Sequence, residues 1–187
     1  EYVAIPLERE YDIIVTHAGF AGINHYQAAK VGVVSIPALK KGGRLIIVAN
    51  TTDQDQIGSS TYRATLHLLK LIGPEKYNRL ILSPDWTFIP DQWQVQMWAR
   101  LFAKIPQHNL IYYSPPMSAA DYRILPCRDG NLYLPMEKRY RGSLTSIPEV
   151  VEAAVAEEVK RIKITEQREA TIAYLADGPY GVPVKEN

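Results

Sequence analysis

The chain is poor in what would anchor several large classes of protein. It has one cysteine, Cys127, so no intrachain disulfide can form, and a reducing compartment such as the cytoplasm is the expectation. No apolar run approaches the roughly 20 residues that span a bilayer. With 21 basic and 20 acidic side chains the formal net charge is +1, which supplies no field for nucleic acid or an anionic membrane. No GxGxxG or Walker-type phosphate loop occurs, and no charged-then-apolar leader opens the chain. Two histidines, His17 and His25, flank a short loop but lack the further ligands a zinc site needs. No metal site is expected.

What remains is an ordinary globular composition, 47% apolar and 22% charged over 187 residues, enough for one domain with a sizeable core. YDIIVTH (11–17), RLIIVAN (44–50) and NLIYYS (109–114) read as strands buried on both faces, and ATIAYLAD (170–177) as a last strand. Helical patterns lie between them: from His25 to about Leu39, over roughly Ser59 to Leu71, at 90–105, and at 146–163. In the first, Lys40, Lys41, Gly42 and Gly43 read as its basic, glycine-stopped end. A short helix or turn is expected around Pro74–Leu82. Strands alternating with helices predict a three-layer, Rossmann-like α/β fold with a mainly parallel sheet and helices on both faces. Residues 117 to 146 resist placement and read as an irregular excursion. The chain begins EYVAIPLERE without an initiator methionine, and a fragment of a longer polypeptide is the expectation.

The stretch NHYQAAK (24–30) opens the first helix at the carboxyl end of the first long strand, where open α/β sheets place ligands. On a helix Tyr26 and Lys30 are four apart and Gln27 and Lys30 three apart, so all three can share one side of the first two turns. Unused backbone N–H groups and the Lys30 ammonium would suit a carboxylate or phosphate. A structural reading is equally open, with Asn24 and Gln27 as a capping box, Tyr26 in the core and Lys30 in solvent. His17 reads as a hydrogen-bonded strand end, and His25 as a residue that could tune a nearby pocket. His67 and His108 have no partners in sequence. Trp93 and Trp98, five apart, fall on different faces of their helix, and Trp86 precedes it. Asp91 and Gln92 suit the helix start. Cys127 has no base to activate it. Lys138, Arg139 and Arg141 read as a solvated loop, with a phosphate or domain contact as the alternative.

YDIIVTHAG, YQAAK, GGRLIIVAN and PDQWQVQMWARLF, in this order over about residues 11 to 105, resemble the C-terminal domain of the nickel-pincer lactate racemase family. The resemblance implies a single α/β domain over 1–187, the C-terminal part of a two-domain racemase. In that family a nickel-pincer nucleotide is held mainly by the N-terminal domain. It takes the C2 hydride of a 2-hydroxy acid and returns it to either face. The acid and base are N-terminal histidines, so no catalytic residue is expected in this fragment, which would be inactive alone. By the same resemblance Gln27, Lys30 and Tyr26 line the substrate and Trp93 lies near the cofactor. Expected partners are the N-terminal domain and a small 2-hydroxy acid, with no nucleic acid and no membrane. The rival reading is a non-catalytic α/β module binding a small anion or nucleotide at the first strand–helix turn.

Overall fold

The computed structural model describes residues 3–185. Its centre is a five-stranded sheet in the order β5-β4-β3-β2-β6, with every neighbouring pair parallel. The strands are β2 (Tyr11–His17), β3 (Leu39–Val48), β4 (Leu110–Tyr113), β5 (Arg128–Asp129) and β6 (Ile172–Leu175). Adjacent residues such as Ile13 and Ile14, or Ile46 and Ile47, are fully buried although they point to opposite faces. Both faces must therefore be covered, which is why these strands read as continuous apolar runs. A second, two-stranded parallel sheet pairs β1 (Ala4–Leu7) with β7 (Val182–Lys185).

Helices α1 (His25–Ser35), α2 (Ser60–Ile81) and α3 (Gln92–Lys104) pack on one face around Ile14, Leu45, Ile47 and Tyr112. The opposite face carries α5 (Ile147–Glu166) over Ile13, Ile46 and Ile111. This is the expected three-layer α/β arrangement. Glu158 of α5 is fully buried, with Arg44 Nε at 3.2 Å and Arg128 Nη2 at 2.7 Å, which ties the helix to β3 and β5.

One boundary differs from the sequence reading. Helix α1 stops at Ser35, and β3 begins at Leu39, so Lys40 to Gly43 belong to a strand rather than a helix end. Lys40 is drawn there by Asp12 at 3.0 Å, and Gly42 takes a φ of 75° that permits the irregular register. The segment after Pro74 is helical, in keeping with the sequence reading. It continues α2 across a kink at Gly73, whose φ and ψ are 78° and 166°. The excursion over 117–146 is a chain of short turns with a one-turn helix, α4 (Ala119–Tyr122), and the edge strand β5. Asp129 holds it by accepting from Asn131 N (2.8 Å) and Tyr140 Oη (2.6 Å), while Leu125 and Leu134 are buried beneath.

The chain moves outward through β2, β3, β4 and β5, then returns by α5 to place β6 on the other side of β2. The topological switch point thus lies between the carboxyl ends of β2 and β6. His17 closes it as a structural residue. Its Nε2 donates to Ala176 O (2.7 Å) and its Nδ1 accepts from Gly19 N (3.1 Å), which requires one neutral tautomer. Opposite, Gly178 has a φ of 55°, and an added Cβ would run into the His17 backbone oxygen. Gly178→Ala is expected to destabilise the fold by roughly 1–3 kcal/mol, read as a lowered urea midpoint with an unchanged m-value.

Candidate functional site

Helix α1 starts where β2 ends. Asn24 caps it, its Oδ1 accepting from Gln27 N at 2.9 Å, but Gln27 does not reach back to complete a capping box. Instead the Gln27 amide oxygen accepts from Lys30 Nζ at 2.7 Å. The half-buried Gln27 and the exposed Lys30 therefore act as a joined pair on the solvent side of α1. Among the described residues Lys30 has no carboxylate partner, whereas Lys40, Lys104, Lys138 and Lys163 each have one.

Tyr26, half-buried, turns toward α3. Its ring meets the edge of Trp93 at 5.8 Å and that of Tyr62 at 5.2 Å. Trp93 is 47% exposed and leaves much of its indole open beside Tyr26. Burial raises the Tyr26 phenol pKa and the Asp91 carboxylate adds to that; the nearby Gln94 amide opposes it. The four residues named from the resemblance thus fall on the two neighbouring helices α1 and α3. Gln27 joins Lys30 to the cleft that Tyr26 lines, and Tyr26 joins Trp93.

His25 is elsewhere. One residue before Tyr26 is about 100° around the helix, enough to turn a side chain from surface to core. His25 is fully buried, stacked on Trp98 at 4.6 Å and edge-on to Tyr112 at 5.1 Å. Trp98 Nε1 donates to Tyr62 Oη (2.9 Å), and Tyr62 Oη shares a second hydrogen bond with His25 Nδ1 (2.9 Å). Burial lowers the His25 pKa to about 3. Among the described residues the imidazole hydrogen-bonds Tyr62, whose ring in turn touches Tyr26.

The turn itself does not offer the expected free N–H groups. His25 N donates to Gln56 O and Tyr26 N to Ile57 O, both at 2.9 Å, and Gln27 N and Ala28 N are taken by Asn24. The loop after β3 thereby plugs the helix terminus with its own carbonyls. The cleft beside it, about 380 Å³, is lined by Asn24, Tyr26, Gln27, Asp53, Asp55, Gly58, Ser59 and Asp91. Three carboxylates and no free backbone N–H at the helix start make this a poor cradle for phosphate, which weakens the physical basis of the anion- or nucleotide-binding alternative there.

The sequence reading did not single out Asp53, Asp55 or Ser59. The available signal was position: that loop leaves β3 at the same sheet edge from which α1 leaves β2. It also missed Gln94, which is fully buried against the Tyr26 phenol. Gln92 is structural, its Oε1 accepting from Trp86 Nε1 and Ile89 N, both at 2.9 Å. Burial pushes the Cys127 thiol pKa far up, which rules out a ready nucleophile. Lys138 pairs with Glu149 at 2.6 Å, and Arg139 and Arg141 donate to backbone carbonyls of their own loop. No group of three or more histidine, cysteine or acidic side chains suited to a metal ion occurs among the described residues.

A sequence profile described as the lactate racemase C-terminal domain matches residues 8–122, a span that contains all of α1, the acidic loop and Trp93. The fold is similar to that of the lactate racemase apoprotein from Thermoanaerobacterium thermosaccharolyticum, with a TM-score of 0.67 at 16% identity. The alignment covers 99% of this chain and 37% of that one, so the chain spans little more than a third of the racemase it resembles. No curated protein matches the chain. On the profile match, which covers more than half its length, the chain belongs to the lactate racemase C-terminal domain family.

Proposed function

We propose that this chain forms the substrate-side wall of a 2-hydroxyacid racemase or epimerase, whose cofactor and acid–base histidines belong to an N-terminal domain of the same polypeptide. The observation that carries this reading is Lys30: an exposed ammonium with no carboxylate partner among the described residues, held against the Gln27 amide at 2.7 Å. Every 2-hydroxy acid brings a carboxylate that such a cation can pair. Gln27 spends its oxygen on Lys30 and keeps its amide N–H groups for the substrate oxygen, whether hydroxyl or carbonyl. Both residues orient the acid; neither takes a proton from carbon.

The nickel-pincer nucleotide fits this chain as a neighbour rather than as a ligand. The donor set for a metal is missing among the described residues, while the open indole of Trp93 beside Tyr26 suits packing against a flat aromatic ring. When bound, that group supplies the hydride acceptor for C2. Tyr26 and Trp93 would shut water out of the reacting side of the cleft. His25, buried and neutral, stays out of the proton transfers. The fragment alone is therefore inactive in this reading. No helix among the described residues is long and apolar enough to cross a membrane, and the lone, half-buried cysteine is at home in a reducing cytoplasm.

The test is Lys30→Ala in the full polypeptide. A charge-assisted hydrogen bond contributes about 1.5–3 kcal/mol, so kcat/KM should fall roughly ten- to a hundredfold. Lys30→Arg should recover part of it, because the charge returns with a different geometry. An unchanged kcat/KM in Lys30→Ala would contradict the assignment.

A further inference from the structure

Asp91 stands where a helix cap belongs and does not cap. A capping aspartate takes an extended backbone and accepts from an amide of the first turn. Asp91 instead has a φ of 68° and a ψ of −1°, and its side chain accepts from no amide of α3. A left-handed backbone is uncommon for a residue with a Cβ and persists only where the surroundings hold it. Here it turns the carboxylate away from its own helix, toward the starts of α1 and α2.

Two hydroxyls meet the carboxylate there. Ser59 Oγ donates to Asp91 Oδ2 at 2.6 Å while accepting from Tyr62 N at 3.1 Å as the cap of α2. The Tyr26 phenol hydrogen-bonds the same carboxylate and the buried Gln94 amide. A carboxylate only accepts, so the phenol donates to Asp91 and receives an N–H from Gln94. The Tyr26 ring is also wedged edge-on against Tyr62 (5.2 Å) and Trp93 (5.8 Å). Trp93 follows Asp91 by two residues, so the same backbone turn aims both the carboxylate and the indole at Tyr26.

Resting on the proposed function, we infer that Asp91 is a positioning residue of the candidate site, which acts through Tyr26 to set the Tyr26–Trp93 wall on the reacting side of the cleft. Lys30 and Gln27 hold the acid from α1, so the wall governs how the reacting carbon is presented and how water is kept out. Its loss should therefore lower kcat and leave KM nearly unchanged. A merely structural Asp91 would tie α3 to α2 through Ser59 and affect stability alone.

Asp91→Gly in the full polypeptide separates these roles, because glycine adopts this backbone without steric cost and only the carboxylate is removed. Its kcat should fall about 10- to 100-fold, with KM within about twofold of the parent's. Tyr26→Phe should lose a similar factor, and in that background Asp91→Gly should cost nothing further. Asp91→Asn tolerates the left-handed backbone and keeps an acceptor oxygen, so it should recover most of kcat. Without cofactor, the ultraviolet titration of Tyr26 is read as the parent minus Tyr26→Phe. It should move to lower pH in Asp91→Gly, because no carboxylate then opposes the phenolate. A raised KM with unchanged kcat, additive losses in the double variant, or an unmoved Tyr26 titration would overturn the positioning role and leave the Lys30 site standing. A parent that turns over no 2-hydroxy acid would overturn the proposed function and this inference with it.

Discussion

Asp12→Ala is expected to cost the fold about 3 kcal/mol, the lower end of the range for breaking a buried charge pair. Asp12 sits in β2 with its side chain 3% exposed. It accepts from Arg168 Nη1 (2.8 Å) and Nη2 (2.6 Å), from Thr171 N (2.8 Å) and Oγ1 (2.7 Å), and from Lys40 Nζ (3.0 Å). One carboxylate thus fastens the start of β6 and the irregular start of β3 to the central strand. The cost stays at the lower end because Arg168 and Lys40, 39% and 37% exposed, can return to water when their partner goes. For a domain of this size the loss corresponds to a Tm lower by about 6–12 °C. Asp12→Asn, which keeps an acceptor for Thr171, should lose less. Burial alone would raise the Asp12 pKa, but Arg168, Thr171 and Lys40 outweigh it and hold the carboxyl well below the usual range. A depressed carboxylate stabilises above its unfolded pKa, so this contribution fades only below about pH 4.

His25 is expected to dominate the acid response at higher pH. Its folded pKa of about 3 lies below the unfolded value of 6.5, because burial excludes the charged form. The unfolded chain therefore binds the proton first. The stability held by neutral His25 is fully present above pH 6.5 and is lost progressively as the pH falls toward 3. At 1.36 kcal/mol per unit, the loss between pH 6.5 and 5 is about 2 kcal/mol. Urea unfolding of the parent and of His25→Phe at several pH values reads this directly. The variant keeps an aromatic face against Trp98 and should lose the slope between pH 6.5 and 5, whatever its stability at neutral pH. Parallel slopes would place the acid sensitivity elsewhere.

The two effects separate by window, His25 above about pH 4 and Asp12 below it. They also show what local pattern could and could not convey. YDIIVTH, RLIIVAN and NLIYYS were legible as strands because burial on both faces leaves a continuous apolar run. LKKGG was misread as a helix end because its structure depends on Asp12, 28 residues before Lys40 and on another strand. The helix over 146–163 was legible from its own periodicity, and the break at Gly73 and Pro74 was visible. That the chain resumes as helix after the break depends on packing, with Tyr77 fully buried in the main core.

The candidate site divides in the same way. Tyr26, Gln27, Lys30 and Trp93 were found through short motifs, and helical spacing alone allowed the first three to share a side. The acidic half of the cleft was not legible. Gln56 and Ile57 cap α1 through backbone carbonyls, which leave no side-chain signature. His25 looked like a neighbour of the pocket because it is adjacent in sequence, and one helical step carried it into the core. Which glutamine of DQWQ packs under Tyr26 and which staples Trp86 depends on the rotation of α3 about its axis, fixed by its contacts with α1 and α2.

The central claim is that this chain serves the interconversion of 2-hydroxy acid enantiomers or epimers. The most direct measurement takes the full polypeptide, loaded with nickel and the pincer nucleotide, and a panel of single-enantiomer 2-hydroxy acids followed by chiral chromatography. The expected result is that at least one acid is converted to a mixture of configurations at C2, and that Lys30→Ala abolishes most of the conversion. Retention of configuration by every acid, with the cofactor verifiably bound, would contradict the assignment and leave a family fold that serves another chemistry.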